Sequence, residues 1–282
     1  MVFPHGGATK IWRDGRVDGN TPFAAYDPYR ATVRDWGRTL ESRIDEHGRQ
    51  YKNLSSLLQD PVDWPAGQKL VTEAGHSYRV AEPGETPHFV TEIGRGLLAT
   101  PAPSGRVSQK AFGALGDGVT DDTAACQAAH DSGMPIEDEG TFLVSNLTAK
   151  VSVRGGTYLR KAGSGGDFIV TGAPAITLDC SIDGADQSGN NFVIRHDGVI
   201  VTSNVIIRNA RVNGIRHENG DNVEIYAQIL NARQTHLLTS VSDSDINGLV
   251  IDVLVDGVGL GLGNINGGIK VHGNAQFAVV KP

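Results

Sequence analysis

The sequence has few of the residues on which several common architectures depend. Only two cysteines, Cys126 and Cys180, occur in 282 residues, and no CxxC spacing is present. This argues against a disulfide framework and against a structural zinc site. Aromatic residues make up 6 % of the chain, while glycines number 36. Because glycine destabilises helix interiors, this balance favours a repetitive, turn-rich β architecture over a helical bundle.

Excess positive charge and long apolar runs are missing as well. The 25 basic and 32 acidic residues give a net charge of −7, so we predict no nucleic-acid partner, which would require a basic face. No apolar run reaches the roughly 18 residues of a membrane span. The start of the chain lacks the apolar core of a secretory signal peptide, and none is expected. We predict no cofactor and no metal site.

Two segments begin the chain. Residues 1–28 are rich in glycine, proline and aspartate and predict an extended arm with turns. Residues 29–60 predict one helix, over 29–59, because bulky apolar residues recur about every 3.6 residues. The apolar stripe must be covered either by its own domain or by two further copies in a trimer. The candidate seam residues are Trp36, Leu40, Ile44, Tyr51, Leu54 and Leu58.

Residues 61–105 predict a small β region that ends in a linker. Segments 68–73 and 77–81 are expected to pair as a hairpin. The string TPAPSG at 100–105 is typical of a linker. With the preceding helix, this segment makes a small α+β region ahead of the rest of the chain.

The string from Val107 to Gly133 is the most specific feature of the sequence. Its Gly-Asp-Gly triplet predicts a tight turn, because glycine tolerates positive φ. Thr120 and Asp121 are expected to cap a short alanine-rich helix that ends at Ser132-Gly133. Such a helix closes the open end of a β domain. We therefore predict a structural cap motif, not a catalytic one, formed by Gly116, Asp117, Gly118, Thr120, Asp121, Asp122 and Thr123.

Short β-rich stretches recur after this string. They begin at Val151, Ile176, Val205, Val223 and Leu249. Their average spacing of about 24.5 residues is typical of a solenoid. Residues 134–282 would accommodate about six such coils, which makes the solenoid short. The asparagines between the stretches are interpreted as turn residues, because asparagine tolerates left-handed turns.

The Val107–Gly133 string closely resembles the opening of pectate-lyase-like β-helices. That superfamily includes polygalacturonases, exopolysaccharide-degrading enzymes and many phage tail spikes. The resemblance implies an all-β fold over residues 106–282, a right-handed parallel β-helix with an N-terminal capping helix. The matching residues are Phe112, Gly113, Ala114, Gly116, Asp117, Gly118, Thr120, Asp121, Asp122, Thr123, Ala125, Gln127, Ala128 and Ala129.

Several residues are weak candidates for glycan chemistry. Hydrolysis usually needs two carboxylates across the bond, and lyases need a base. The candidates are Asp179, Asp183, Asp243, Asp245 and Lys270. Lys270 lies in a string that faintly resembles a polygalacturonase motif but has Gly268 in place of its arginine. Turn and loop roles are the alternative for the aspartates, and solvent exposure is the alternative for the possible functional stripes of His196, His217 and His236 and of Arg208, Arg211 and Arg216.

Three functions fit these features. The resemblance, the arm and the expected lack of a signal peptide favour a bacteriophage tail spike or tail fibre protein. It would be made in the host cytoplasm, assemble as a homotrimer in the virion, dock on other tail proteins through its N-terminal arm and bind host surface polysaccharide. The alternatives are a lyase or glycoside hydrolase acting on bacterial or plant acidic glycan, and a non-catalytic structural solenoid. Because the solenoid is short, we expect the chain alone to bind polysaccharide without degrading it efficiently.

Overall fold

The computed structural model describes residues 50–164 continuously and a set of strands and turns outside that range. The further described ranges are 16–17, 21–22, 169–171, 175–185, 192–196, 199–210, 213–217, 224–230, 235–239, 246–247, 250–256, 269–271, 275–276 and 279–281. The chain divides into two compact units, Met1–Gln50 and Tyr51–Pro282. In the first unit, strand β1 (Arg16–Val17) pairs antiparallel with β2 (Thr21–Pro22). The rest of the predicted arm lies outside the described residues.

A five-stranded sheet follows. Its strands are β3 (Gln50–Tyr51), β4 (Lys69–Thr72), β5 (Ser77–Val80), β6 (Phe89–Val90) and β7 (Gly96–Ala99), in the order β3-β4-β5-β7-β6. Strands β4 and β5 pair antiparallel with Leu70 opposite Tyr78, which confirms the predicted hairpin. Leu70, Tyr78 and Leu97 are buried, because alternate side chains of a strand share one face. In the described part of the chain, no helix has the length and apolar character needed to cross a membrane.

The predicted helix over 29–59 is wrong at its C-terminal end. Gln50–Tyr51 is a strand, and a separate five-residue helix, α1 (Leu54–Leu58), follows it. Asn53 begins this helix, since its side chain accepts a hydrogen bond from the Ser56 amide at 2.9 Å and the Ser56 hydroxyl completes a capping box. The N-cap backbone is extended, so the apolar spacing of Tyr51, Leu54 and Leu58 runs from a strand into a helix. The earlier part of the predicted helix, residues 29–49, lies outside the described residues.

Three of the six predicted seam residues are described, and they pack within their own unit. Tyr51 is 8 % exposed, donates a hydrogen bond to Asp60 and accepts one from Trp64 Nε1 at 3.1 Å. Leu54 and Leu58 are half-buried against the hydrophobic core. These three residues of the apolar stripe therefore pack against their own chain. The other three seam residues are Trp36, Leu40 and Ile44, outside the described part of the chain.

The remaining chain forms the parallel sheets of a β-solenoid. Its strands are β8 (Asp117–Asp121), β9 (Ile136–Glu137), β10 (Thr141–Val144), β11 (Leu147–Thr148), β12 (Val153–Arg160), β13 (Ile169–Thr171), β14 (Ala175–Asp183), β15 (Phe192–His196), β16 (Val199–Arg208), β17 (Asn213–His217), β18 (Glu224–Leu230), β19 (Thr235–Thr239), β20 (Ile246–Asn247), β21 (Val250–Asp256), β22 (Ile269–Val271), β23 (Ala275–Gln276) and β24 (Val279–Lys281). The long sheet has the order β8-β10-β12-β14-β16-β18-β21-β24, with β9 beside β12. A second sheet has the order β11-β13-β15-β17-β19-β22, and β20 pairs with β23. The predicted all-β, parallel solenoid class is confirmed; its right-handedness stays a prediction.

The strand register reproduces the predicted repeat length. One column of partners in the long sheet contains, in order, Val153, Leu178, Thr202, Ile225 and Ile251. The steps between them are 25, 24, 23 and 26 residues, close to the predicted average. The apparent irregularity of the sequence stretches arose because β16 begins at Val199, ahead of the Val205 chosen from the sequence.

The solenoid core comes from alternation along each strand. In β14, Ile176, Leu178, Cys180 and Ile182 are buried, while the residues between them are half-buried. Each aliphatic side chain buried in this way contributes roughly 1.5–3 kcal/mol. Both cysteines are buried and free. The outward positions of the same strands are left for polar side chains.

The cap motif forms a tight turn, a strand and a helix. Gly116 and Gly118 have φ of 66° and 74°, which confirms the positive-φ turn. Helix α2 (Thr123–Asp131) follows β8 directly and ends at Ser132, with Gly133 at a φ of 76°. It packs against β10 and β11 and buries Cys126, Ala129 and His130. Closure of the solenoid end by this helix stays a prediction.

The predicted linker at 100–105 is an ordered turn. The Ala102 amide donates to the Arg106 carbonyl, and the Gly105 amide to the Ala102 carbonyl, both at 2.8 Å. Nearby, the Tyr78 hydroxyl donates to the carbonyl of Ala111 at 2.7 Å. Ala111 lies in a 3₁₀ turn (Gln109–Phe112) at the start of the motif. The small sheet and the solenoid therefore share one core.

Candidate functional site

Asp122 holds the cap motif together from inside. Its carboxylate is 2 % exposed and accepts hydrogen bonds from the amides of Leu115 at 2.8 Å and Gly116 at 3.0 Å. Its backbone carbonyl accepts from Cys126, the first complete turn of α2. The side chain makes no capping bond to the helix. Asp122 thus ties the glycine turn to the helix start, a structural task.

The other motif residues divide into a helix-start group and a turn group. Asp121 accepts from the Thr123 amide at 3.1 Å and pairs with Lys161 at 2.6 Å. The Lys161 hydrogen bond, with those from Thr123, lowers the pKa of Asp121 to about 2. Thr120 instead donates its amide and hydroxyl to Asp117, at 2.7 and 2.8 Å. The predicted capping by Thr120 is therefore wrong, because its partner lies in the turn before it.

Asp183 belongs to a stack of turns between coils. Its carboxylate accepts from the Ala185 amide at 2.8 Å and from Asn209 Nδ2 at 3.0 and 3.2 Å. Ala185 and Asn209 have φ of 51° and 53°, conformations that asparagine tolerates and that local hydrogen bonds hold in other residues. Asn209 therefore forms a turn, as we predicted for these asparagines. The bonds to Asp183 favour its turn role.

Asp179 and Asp183 lie far apart along one strand. They lie on one face of β14, four residues apart, so their Cα atoms are separated by about 13 Å at the strand rise of about 3.3 Å per residue. Glycoside hydrolysis needs carboxyl groups roughly 5–9.5 Å apart. Asp179 lies in register with Arg154 of the neighbouring strand. The structure does not bring these two predicted aspartates together for hydrolysis.

A row of alternating charge follows outward positions across three neighbouring strands. Glu137, Arg154 and Asp179 are register partners on β9, β12 and β14. Arg154 Nη1 lies 3.5 Å from Glu137 Oε1, with side-chain exposures of 63 % and 39 %. Exposed pairs of this kind contribute little to stability. The row nevertheless fixes donors and acceptors at the strand spacing of about 4.8 Å.

A second group of outward residues, the outer-face cluster, lies on β14, β16 and β18, so that β14 carries members of both groups. It consists of Ser181, Asp183, Ile206, Arg208, Tyr226 and Gln228. Register joins Ser181 to Ile206 and Ile206 to Gln228, and it places Asp183 beside Arg208. Arg208 and Gln228 are exposed, and Tyr226 is half-buried between the inward residues Ile225 and Ala227. These side chains face outward because their neighbours along the strand fill the core.

Arg208 is the cation of this cluster that remains available to a ligand. Among the described residues, no carboxylate lies within ion-pair distance of its guanidinium. Asp183, its register neighbour, is instead engaged by Asn209. Guanidinium, amide and hydroxyl groups beside an aromatic ring form hydrogen bonds and apolar contacts to polyhydroxylated ligands. The outer-face cluster can therefore bind a sugar chain that crosses the strands.

The structure describes only some of the other residues that were predicted to contribute to a site. His196 and His217 are register partners, whereas Thr239, not His236, is the partner of His217. The predicted line of three histidines is therefore wrong for the third, because β19 enters the ladder with a different offset. Lys270 lies on β22 in register with Leu238. Asp243, Asp245 and Arg211 lie outside the described residues, and no group of three or more metal-ligating side chains occurs among the residues that are described.

A cleft of mixed polar and apolar lining, where the small sheet meets the solenoid, was not predicted from the sequence. We call it the junction cleft; it has a volume of about 210 Å³ and is lined by Gly75, His76, Ser77, Thr100, Pro101, Ala102, Pro103, Ser104, Arg106, Val107, Ser108, Ala111 and Glu137. Burial lowers the pKa of the half-buried His76. Arg106 Nη1 donates to the Ile136 carbonyl at 3.4 Å. The lining comes from separate loops, so no local spacing signalled it.

Comparison with known proteins places the fold beside viral proteins. No protein-family model matches the chain, and no curated protein matches it. Among solved structures, the chain is similar to full-length tailspike protein 2 of the Escherichia coli O157:H7 bacteriophage CAB120, with a TM-score of 0.50 and 17 % identity over 81 % of this chain and 36 % of that one. This likeness supports the parallel solenoid fold.

Two further solved structures are similar at a TM-score of 0.46. One is the enzymatically active domain of bacteriophage CBA120 tailspike protein 2, 16 % identical over 82 % of this chain and 43 % of that one. The other is the ORF18 protein of Geobacillus virus E2, 17 % identical over 72 % of this chain and 48 % of that one. This chain therefore spans less than half the length of each of these proteins. Its structural neighbours include phage tailspike proteins.

Proposed function

We propose that this chain is a bacteriophage tail spike or tail fibre protein that binds host surface polysaccharide through the outer-face cluster. The observation that carries the proposal is the register of Arg208 with Asp183 and of Gln228 with Ile206 on a parallel solenoid. The similarity to a phage tailspike protein over 81 % of the chain supports the virion role.

The repeating units of a polysaccharide can contact the repeating strands of the solenoid. A polysaccharide presents similar hydroxyl groups at regular intervals, and neighbouring strands present side chains about every 4.8 Å. Many weak contacts along one chain add through effective concentration. Arg208 supplies donors, while Tyr226 supplies an aromatic edge or face for sugar C–H groups. The cluster thus binds a chain lying across the strands without requiring a deep pocket.

We expect Arg208→Gln to weaken polysaccharide binding at least about tenfold, because a hydrogen bond to a charged group contributes roughly 1.5–3 kcal/mol. The measurement is affinity for a panel of purified bacterial capsular and O-antigen polysaccharides. Lys69→Gln, an exposed cation on β4, is the matched control and should bind like the wild type. Wild-type protein that binds no member of the panel would contradict the proposal.

The same incubation tests the alternative function of a depolymerase. We expect no efficient release of reducing ends or unsaturated products by this chain alone. Robust turnover that disappears in Asp179→Asn or another single Asp→Asn variant would overturn this expectation. The protein would then be assigned as a lyase or glycoside hydrolase.

The N-terminal region is proposed to anchor the chain to other phage tail proteins and to join three copies. Burial of each apolar seam residue contributes roughly 1.5–3 kcal/mol per copy. The full chain should therefore sediment as a trimer, and Leu40→Asp combined with Ile44→Asp should yield monomers. Glu41→Gln, on the polar face of the predicted helix, is the control. If the wild type is a monomer, or if the double variant still forms a trimer, the apolar stripe does not join the copies.

A further inference from the structure

We propose that the junction cleft is a second carbohydrate site that binds one terminal sugar residue of the glycan whose chain lies on the outer face. This inference rests on the proposed function and extends it to residues outside the outer-face cluster. The cleft is formed by three segments of the described chain, and its ionisable side chains are His76, Arg106 and Glu137. Its volume, about 210 Å³, is below the range of about 300–1,000 Å³ typical of drug-sized ligands. The cleft therefore matches a single small polar ring.

The walls of the cleft are held in place by backbone hydrogen bonds. On one side, the Gly75 amide donates to the Thr72 carbonyl at 2.8 Å and turns the hairpin loop. On the other side, Gly105 closes the turn that contains the proline walls. The Thr100 amide donates to the Ser77 carbonyl at 2.9 Å and links the two sides. A cleft built in this way loses little conformational entropy when a ligand binds.

The floor of the cleft belongs to the solenoid start. Val107 and Ala111 are buried there, and the Glu137 amide donates to the Val107 carbonyl at 2.9 Å. The Ser108 hydroxyl donates to the buried carboxylate of Asp138, which also accepts from the Gln109 amide at 2.7 Å. The Ser108 hydroxyl therefore already donates its hydrogen bond to Asp138. We expect the groups at the sides of the cleft to bind the ligand.

Those groups have hydrogen-bonding capacity that the described protein does not use. The ring of His76 has no hydrogen-bond partner among the described residues, although the side chain is half-buried. Arg106 uses one nitrogen on the Ile136 carbonyl and has further donors. Glu137 contributes acceptors at the mouth and contacts Arg154 only at 3.5 Å. A ligand whose hydroxyl groups use these donors and acceptors gains hydrogen bonds to charged groups.

The chemistry of the lining favours a sugar over other small polar molecules. Pro101, Ala102 and Pro103 present apolar surface on one side. Arg106 and Glu137 present donors and acceptors at the mouth, with opposite charges that offset one another. A pyranose ring has C–H groups on one face and hydroxyl groups at its edge, and it requires this combination. A phosphate or a free carboxylate would be opposed by Glu137, and a cation by Arg106.

The position of Glu137 connects the cleft to the outer face. Glu137 lines the cleft and is also the first member of the charged row that continues through Arg154 to Asp179. A glycan that crosses the strands along this row reaches the cleft at its end. A chain terminus fits there because the turn at 100–105 walls off one side. The cleft therefore selects a terminal residue and sets the direction in which the chain lies.

The test uses the full chain and free monosaccharides. The probes are glucose, galactose, mannose, N-acetylglucosamine and rhamnose, measured by saturation-transfer NMR. We expect at least one to bind wild-type protein, and we expect Glu137→Gln and Arg106→Gln each to weaken it at least about tenfold through loss of a charged hydrogen bond. Glu139→Gln, exposed two residues away and outside the cleft lining, should bind like the wild type. His76→Asn is a further variant that keeps the backbone bonds of its loop.

The outcomes separate this inference from the proposed function. Polysaccharide binding without monosaccharide binding overturns the cleft site and leaves the outer-face proposal standing. Monosaccharide binding that the cleft variants leave unchanged also overturns it. Monosaccharide binding that depends on Glu137 and Arg106, with no polysaccharide bound, supports the cleft and overturns the outer-face proposal. Circular dichroism and thermal unfolding of each variant establish that it is folded.

Discussion

Asp122→Ala should lower the free energy of unfolding by about 3 kcal/mol or more, because it removes two charge-assisted hydrogen bonds that a buried carboxylate accepts from the backbone. The amides of Leu115 and Gly116 would lose their carboxylate acceptor. The turn and the start of α2 would separate, since Asp122 is the residue that joins them. The measurement is urea-induced unfolding of the full chain at one fixed protein concentration.

Two further variants test the cause of this loss. Asp122→Asn keeps the size of the side chain and one acceptor oxygen, so its loss should be smaller than that of Asp122→Ala. Glu139→Ala, at an exposed position, is the control and should leave the unfolding midpoint nearly unchanged. A loss of less than about 1 kcal/mol for Asp122→Ala would show that the motif does not depend on this carboxylate.

Gly155→Ala should destabilise the solenoid by at least about 3 kcal/mol, since backbone strain and a steric overlap act together. Gly155 has a φ of 72°, and a Cβ there would overlap the carbonyl oxygen of Asp138. The residue lies where the register between β12 and β14 shifts, because one extra residue of β12 stands between Arg154 and Thr157. Backbone atoms form the obstacle, so no side-chain rotation relieves it.

Gly163→Ala is the matched control for this prediction. Gly163 has a similar φ, 78°, but nothing lies within 4 Å of a Cβ at that position. Its substitution should cost about 1–2 kcal/mol, the strain of a left-handed residue alone. Thermal and urea unfolding of both variants measure the difference, which is the contribution of the overlap. Equal losses would mean that the chain around Asp138 shifts freely.

The repeat was predictable from the sequence because it depends on spacing. Alternating apolar residues in β14 and β18 indicate strands without any tertiary information. The average spacing therefore matched the register of Val153 with Leu178 and of Leu178 with Thr202. Individual strand starts were less accurate, because three polar residues, Thr202, Ser203 and Asn204, divide β16 into two apolar stretches and only the second was chosen from the sequence.

The break before α1 shows the limit of periodicity. The apolar positions at Tyr51, Leu54 and Leu58 keep a helical spacing, yet Tyr51 lies in a strand. The capping box of Asn53 with Ser56 decides the outcome, since it satisfies the amides of a new helix start. An Asn-x-x-Ser sequence is a weak signal by itself. The capping sequence ends the pattern here because the neighbouring sheet also holds Tyr51 in a strand, through the Glu73 amide, which donates to the Tyr51 carbonyl.

The candidate sites depend on proximity that the sequence does not contain. Asp183 was singled out as an acid, but its neighbour in space is Asn209, a full coil later. Arg208 was grouped with Arg211 and Arg216 along the chain, whereas register places it beside Asp183 and Leu230. The cap motif was predictable because its contacts are local. The junction cleft was not, because its walls join residues near 76, 102 and 137.

The constant register has a consequence for how the chain reaches its folded state. Val153 pairs with Leu178, and Leu178 pairs with Thr202, so each residue of this column pairs with one about two dozen positions further along the chain. Each new coil thus docks on the one synthesised just before it, and the loop to be closed never lengthens. Folding can therefore advance from the motif as the polypeptide emerges. Loss of a whole coil would shorten the column while preserving its pairing, whereas loss of one residue within a strand would turn the inward side chains beyond it outward.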